Sequence, residues 1–145
     1  HDFVKVEATV LLGYLAVVHT EACRPAGARI LQTLRALVFQ PPPAAAAGGG
    51  ELVDVRGPAL ESLCIVGKAL GREAFQAQAE ELMRFVADAH RAGLDFSDGL
   101  SSYIMRAGAR LAGFLGLEAA QPFMQALLPP LLQRIAAEVQ PAVAS

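Results

Sequence analysis

The stretch from Glu51 to Val86, E-L-V-D-V-R-G-P-A-L-E-S-L-C-I-V-G-K-A-L-G-R-E-A-F-Q-A-Q-A-E-E-L-M-R-F-V, decides the fold. Leu60, Leu63, Cys64, Val66 and Leu70 recur at helical spacing from a start near Asp54 to Pro58, and Gly71 closes that helix. A second helix, Arg72 to Arg91, turns Phe75, Ala79, Leu82, Met83, Phe85 and Val86 inward. Its outer face carries Glu80, Glu81, Arg84, Asp88 and Arg91. Two amphipathic helices separated by one glycine form a helical hairpin. One hairpin cannot bury its apolar face alone.

The same unit is legible on both sides. Upstream, Val6, Val10, Tyr14 and Val18 recur every fourth residue in a helix from Phe3 to His19, with Leu11 and Leu15 thickening the stripe. A partner helix runs from Ala22 to Phe39, with Pro25 in its first turn and Ile30, Leu31, Leu34, Leu37 and Val38 inward. Downstream, a helix from Leu100 to Leu115 passes through Ile104 and Leu111 and ends at Gly116. A last helix spans Glu118 to Val139, and its Pro129-Pro130 pair predicts a kink or a brief break. Between the first two units, Gln40 to Gly50 reads Q-P-P-P-A-A-A-A-G-G-G, which cannot hold a helix and predicts a mobile surface loop.

The three hairpins share a register. Each turn carries the same dipeptide, Glu21-Ala22, Glu73-Ala74 and Glu118-Ala119, at offsets of 52 and 45 residues. Three positions before the glutamate stand Val18, Leu70 and Leu115, and seven before it Tyr14, Val66 and Leu111. Nine after it stand Ile30, Leu82 and Leu127, and thirteen after it Leu34, Val86 and Leu131. Two helices per unit at a period of about 40–47 residues is the HEAT or armadillo pattern, with the first interval lengthened by the Pro/Ala/Gly loop. The fold class expected is all-α: an alpha-alpha superhelix of about three antiparallel hairpins. They occupy residues 1–39, 54–91 and 100–145, separated by the loop 40–53 and a connector 92–99.

Composition excludes several classes. Alanine (28) and leucine (20) fill about a third of the 145 residues, and no segment alternates with the β-branched period of two, so an all-β fold is excluded and a parallel-sheet enzyme disfavoured. Twelve basic against fourteen acidic residues give a net charge of −2, without the clustered basic face that nucleic acid needs. At 54% hydrophobic and 18% charged, the chain is too apolar to stay open. Its longest apolar run, Ala8 to Val18, falls far short of the roughly 20 residues that cross a bilayer, so no membrane insertion is expected. Cys23 and Cys64, forty-one positions apart in helical stretches, predict reduced, buried thiols of an intracellular protein. No targeting segment is visible, and the opening His1-Asp2-Phe3 reads as part of something longer. A truncated stack would leave interior faces uncapped, which predicts poor solubility.

Candidate chemistry is sparse. His19 and Cys23 share a helix face as metal ligands would, but no second pair completes a site. Gly67-Lys68-Ala69-Leu70-Gly71 holds a Gly-Lys, yet Ala69 stands where a phosphate loop needs Ser or Thr, and a helix C-terminus carrying Lys68 is the better account. Asp95-Phe96-Ser97-Asp98 lacks cation-loop spacing and reads as a turn in which Ser97 or Asp98 caps the next helix. Glu21, Glu73 and Glu118 fall at helix starts, where a carboxylate favours the dipole. Met83 with Phe85, and Phe123 with Met124, read as core packing. No catalytic residue, cofactor or metal is expected, and the chain is read as a binding protein.

Residues Glu51 to Val86 resemble a mid-chain HEAT repeat of the importin-beta (karyopherin-beta) nuclear transport receptors, most of all the karyopherin beta three, or importin five, branch. The most specific part is Leu60 to Phe75, with its glutamate, apolar run, glycine, then Gly71-Arg72-Glu73 and phenylalanine. Ser102 to Leu111 with Leu115-Gly116 is similar to the next repeat's first helix, and Val6 to Val38 to the repeat before. Gly108 stands where the family has a bulky residue, and the Pro/Ala/Gly loop looks like an insertion.

The resemblance implies a receptor that wraps basic cargo proteins and releases them to the Ran GTPase in its GTP form. It also implies passage through the nuclear pore by contacts with phenylalanine–glycine nucleoporins, and shuttling between cytoplasm and nucleus. Second helices face inward in that architecture, which makes Glu80, Glu81 and Asp88 candidate cargo contacts. The other readings are a HEAT scaffold of another class, such as a phosphatase scaffold or an assembly factor, and a compact helical enzyme or ligand-binding bundle.

Overall fold

The computed structural model describes residues 2–43, 53–94 and 99–143. The central part of the Pro/Ala/Gly loop and the whole Asp95-Phe96-Ser97-Asp98 turn lie outside the described residues. Helix α1 spans Asp2–Val18, α2 is the single turn Thr20–Cys23, and a 3₁₀ turn follows at Arg24–Ala26. Then come α3 (Gly27–Val38), α4 (Arg56–Leu70), α5 (Arg72–Arg91), α6 (Gly99–Leu115) and α7 (Leu117–Val143). No strand occurs among the described residues. Pro25 opens the 3₁₀ turn, so the expected Ala22–Phe39 helix begins with a tighter turn before α3 proper.

The second and third hairpins turn on single glycines, as the sequence predicts, whereas the first turns through Thr20–Cys23 and the 3₁₀ turn. Gly71 (φ 94°) and Gly116 (φ 87°) adopt the left-handed region that a side chain would strain. Each donates its N–H back to the helix it ends, Gly71 to the Gly67 carbonyl at 3.1 Å and Gly116 to the Ala112 carbonyl at 3.1 Å. Each carbonyl then accepts the first bond of the next helix, from Phe75 and Ala120. One residue therefore closes one rod and opens another, which forces the chain to fold back.

Helix α4 is the central rod, packed against α1, α3, α5 and α6. Leu60, Leu63, Cys64, Val66 and Leu70 are all buried, and Phe75, Ala79, Leu82, Met83 and Val86 of α5 join them. α1, α4 and α6 form one row of helices. α3, α5 and α7 form the other, in which Phe39 meets Phe85 edge-on at 5.3 Å and α5 packs on α7. Each second-row helix also supports the following first-row helix, α3 against α4 and α5 against α6. This is an all-α superhelix of stacked helical repeats.

Two expectations are corrected. The stripe Val10, Tyr14 and Val18 of α1 faces outward, with Tyr14 70% and Val18 68% exposed. The fully buried residues of α1 are instead the small set Thr9, Gly13 and Ala16, with Leu12 half-buried beside them, because close approach to α4 leaves little room for large side chains. Buried Ser62 of α4 donates its hydroxyl to the Thr9 carbonyl at 2.9 Å, and a Cβ on Gly13 would stand 3.2 Å from Ser62 Oγ. The chain turns by 117° between α1 and the segment from Thr20, so α1 and α3 meet through α4 more than through each other. At the other end, α7 runs unbroken through Pro129 and Pro130. The carbonyls of Gln125 and Ala126, which lose their helical donors there, belong to exposed residues that water reaches.

Candidate functional site

Along the first row, α1 and α6 stand on either side of α4 and leave a groove over Ile65. It consists of two adjoining cavities of about 450 and 430 Å³ that share Val17, Ile65 and Arg110. One reaches Cys64, Phe75 and Phe114; the other reaches Tyr14, Pro58 and Tyr103. The floor is aliphatic and both ends are aromatic.

The rim is cationic and ordered by ion pairs. Glu61 of α4 accepts from Arg110 at 3.2 Å and from Arg106 at 3.4 Å, both on α6. The Arg106 guanidinium lies over the Tyr103 ring, 4.5 Å from its centroid. At the far end, Arg72 donates to the Phe114 carbonyl at 3.0 Å. Such a groove can accept an apolar or aromatic side chain, with guanidinium donors beside it for a carbonyl or carboxylate.

Sequence reasoning missed this groove. Its walls come from α1 and α6, about 90 residues apart in the chain, and the stripe that lines one wall reads as a core stripe. The signal that pointed to it was the excess of apolar residues around α1, more than one buried face can use.

The predicted contacts Glu80, Glu81 and Asp88 lie on α5, each with an arginine partner. Glu81 forms a forked pair with Arg35 of α3, 2.8 Å from Arg35 Nε, and that guanidinium holds its carboxyl below the usual range. Gln76 donates to Glu80 at 2.9 Å, with Arg84 4.0 Å away, and Asp88 pairs with Arg91 at 3.1 Å. The ridge is charge-balanced, so a basic ligand would compete with these arginines.

The remaining candidates are structural in setting. Glu21, Glu73 and Glu118 all fall in first turns, and Glu21 is paired with Arg24 at 2.8 Å. Lys68 lies in the last turn of α4. Met83 is fully buried and Phe85 half-buried, whereas Met124 is 40% exposed, against the core expectation. No group of three or more His, Cys, Asp or Glu side chains could hold a metal ion among the described residues. No single described helix is long and apolar enough to cross a membrane.

Both cysteines are free, Cys64 buried and Cys23 half-buried. Burial pushes the Cys64 thiol up to about 12. Thiolate is the reactive form, so Cys64 is inert in the folded chain. Maleimide at neutral pH is expected to label one thiol per native chain, at Cys23, and the second only in denaturant. Two labels on the native chain would contradict this burial.

The fold and groove define a helical-repeat protein with a side-chain-sized binding surface. The chain is similar to Importin subunit beta-3 of Saccharomyces cerevisiae, 28% identical over 78 residues. That stretch is 54% of this chain and 7% of the yeast protein. No family model matches the chain, and no solved structure matches it.

Proposed function

We propose that the chain is a binding segment of a nuclear transport receptor, closest to the karyopherin beta three branch, and acts without catalysis. In this reading the groove over Ile65 takes phenylalanine side chains of phenylalanine–glycine nucleoporins. The α5 ridge with Glu80, Glu81 and Asp88 meets basic cargo proteins, and the Ran GTPase in its GTP form controls release through the whole receptor, which shuttles between cytoplasm and nucleus. The observation that carries the reading is the aromatic-ended groove between first-row helices in a chain similar over half its length to an importin.

The test is a titration of a labelled phenylalanine–glycine peptide into the chain, followed by anisotropy. Weak saturable binding is expected, reduced at least tenfold by Ile65→Asp, which replaces the aliphatic groove floor with a carboxylate that a phenylalanine ring would have to desolvate, a penalty above about 1.4 kcal/mol. Binding of the same strength to a serine–glycine control, or none to either, would remove the groove's assignment. For the whole receptor, capture by Ran in its GTP form and not its GDP form is expected. Equal capture by both would favour a HEAT scaffold of another class.

A further inference from the structure

The groove over Ile65 is positively charged in a chain whose net charge is −2. Four cations stand around it, Lys68, Arg72, Arg106 and Arg110, against one carboxylate, Glu61. Glu61 accepts from both Arg106 and Arg110 through the same oxygen, so it balances only one of them. Arg106 also lies over the Tyr103 ring, and Arg72 is held by the Phe114 carbonyl and, at 3.4 Å, by Gln76.

Two cations keep donors for a ligand. Arg110 lines both cavities, is 46% exposed, and gives Glu61 one of the five N–H groups that a guanidinium offers. Lys68 is exposed in the last turn of α4 and has no ion-pair partner among the described residues. It lies three positions after Ile65, on the same helix face, and lines the cavity that reaches Phe75 and Phe114. That cavity holds Lys68 and Arg110 and is lined by no carboxylate among the described residues. A side chain seated on its aliphatic floor therefore has its chain neighbours beside two cations.

We propose that the groove selects peptide segments in which an aromatic side chain is flanked by aspartate or glutamate. The ring lies over Ile65, and the carboxylate takes Lys68 and Arg110. This rests on the reading of the groove as a phenylalanine-binding surface and adds the charge of the partner. A lysine beside the ring would meet like charge, so the preference is set by repulsion as well as attraction.

The test uses the whole 145-residue chain and labelled peptides of one length, followed by anisotropy at low ionic strength. Each peptide carries one Phe-Gly core flanked on both sides by aspartate, serine or lysine. The aspartate peptide is expected to bind about threefold more tightly than the serine one and about tenfold more tightly than the lysine one. Salt narrows these gaps, since the screening length falls to about 3 Å at 1 M. Lys68→Glu is expected to bring the aspartate and lysine peptides within about twofold of each other. Lys68→Met, which removes the charge without reversing it, leaves a gap of about threefold and replaces Lys68→Glu if circular dichroism shows lost helix. Arg29→Glu makes the same change of net charge on the exposed surface of α3 and is expected to keep the tenfold gap.

Equal binding of the three peptides, or tighter binding of the lysine one, would overturn the charge preference and leave the phenylalanine site standing. Binding of none would remove the phenylalanine site and this inference with it. A gap lowered as much by Arg29→Glu as by Lys68→Glu would assign the preference to net charge and overturn the role of the groove. So would an aspartate peptide that binds equally well with alanine in place of phenylalanine.

Discussion

Phe75→Ala is expected to lose about 3–5 kcal/mol of folding stability, the range for removing a buried phenylalanine ring. Phe75 is 1% exposed and starts the inner face of α5 immediately after the Gly71 turn. Its ring lies against the backbone of α4 at Gly67 and meets Phe114 of α6 edge-on at 5.3 Å. Three helices of two consecutive repeats converge on that ring, so alanine leaves a void none of them can fill without moving. A domain stable by about 5–15 kcal/mol would lose much of its margin. Urea denaturation followed by circular dichroism measures the loss as a lower midpoint at unchanged slope. Phe75→Leu, which keeps most of the volume, should lose less. A Phe75→Ala loss below 1 kcal/mol would mean that α4, α5 and α6 do not share this core.

The position of Phe75 was legible in the sequence, because its helix is bracketed by Gly71 and carries one clean apolar stripe. Helices α4, α5 and α6 are likewise near where periodicity and glycine put them. Helix α1 was not legible in its orientation. A hydrophobicity pattern ranks faces by large side chains, while α1 meets α4 through Thr9, Gly13 and Ala16, whose value is smallness. That α7 has no break at Pro129-Pro130 has the opposite reason. A proline penalty depends on whether the freed carbonyls are buried, and those near Pro129 are not. The ion pairs of Glu81 with Arg35 and of Glu61 with Arg106 and Arg110 join residues 45 to 49 positions apart. Nothing local in the chain announces such a pairing.

The same substitution at two helical glycines should have opposite signs. In a helix interior, alanine is favoured over glycine by about 1 kcal/mol, and neither Gly67 nor Gly113 has a positive φ that would cancel the gain. At Gly113, on the exposed side of α6, a Cβ meets nothing within 4 Å, so Gly113→Ala is expected to stabilise by about 0.5–1 kcal/mol. At Gly67 the Cβ would stand 2.3 Å from Cγ of Phe75. That ring is buried and backed by Phe114, so it cannot swing aside, and the overlap falls at the base of the ring, not at a flexible tip. Overpacking of this kind costs about 1–3 kcal/mol and more where relief is blocked, which outweighs the propensity gain. Gly67→Ala should therefore destabilise by about 2 kcal/mol. Because the penalty arises from one contact, Phe75→Leu in the Gly67→Ala background should cost less than in the native chain, a coupling that a double-mutant cycle reads directly. Additive losses, or a stabilising Gly67→Ala, would mean that α5 does not approach α4 this closely. The tight turn at Gly71 would then leave the two rods further apart than their shared core requires.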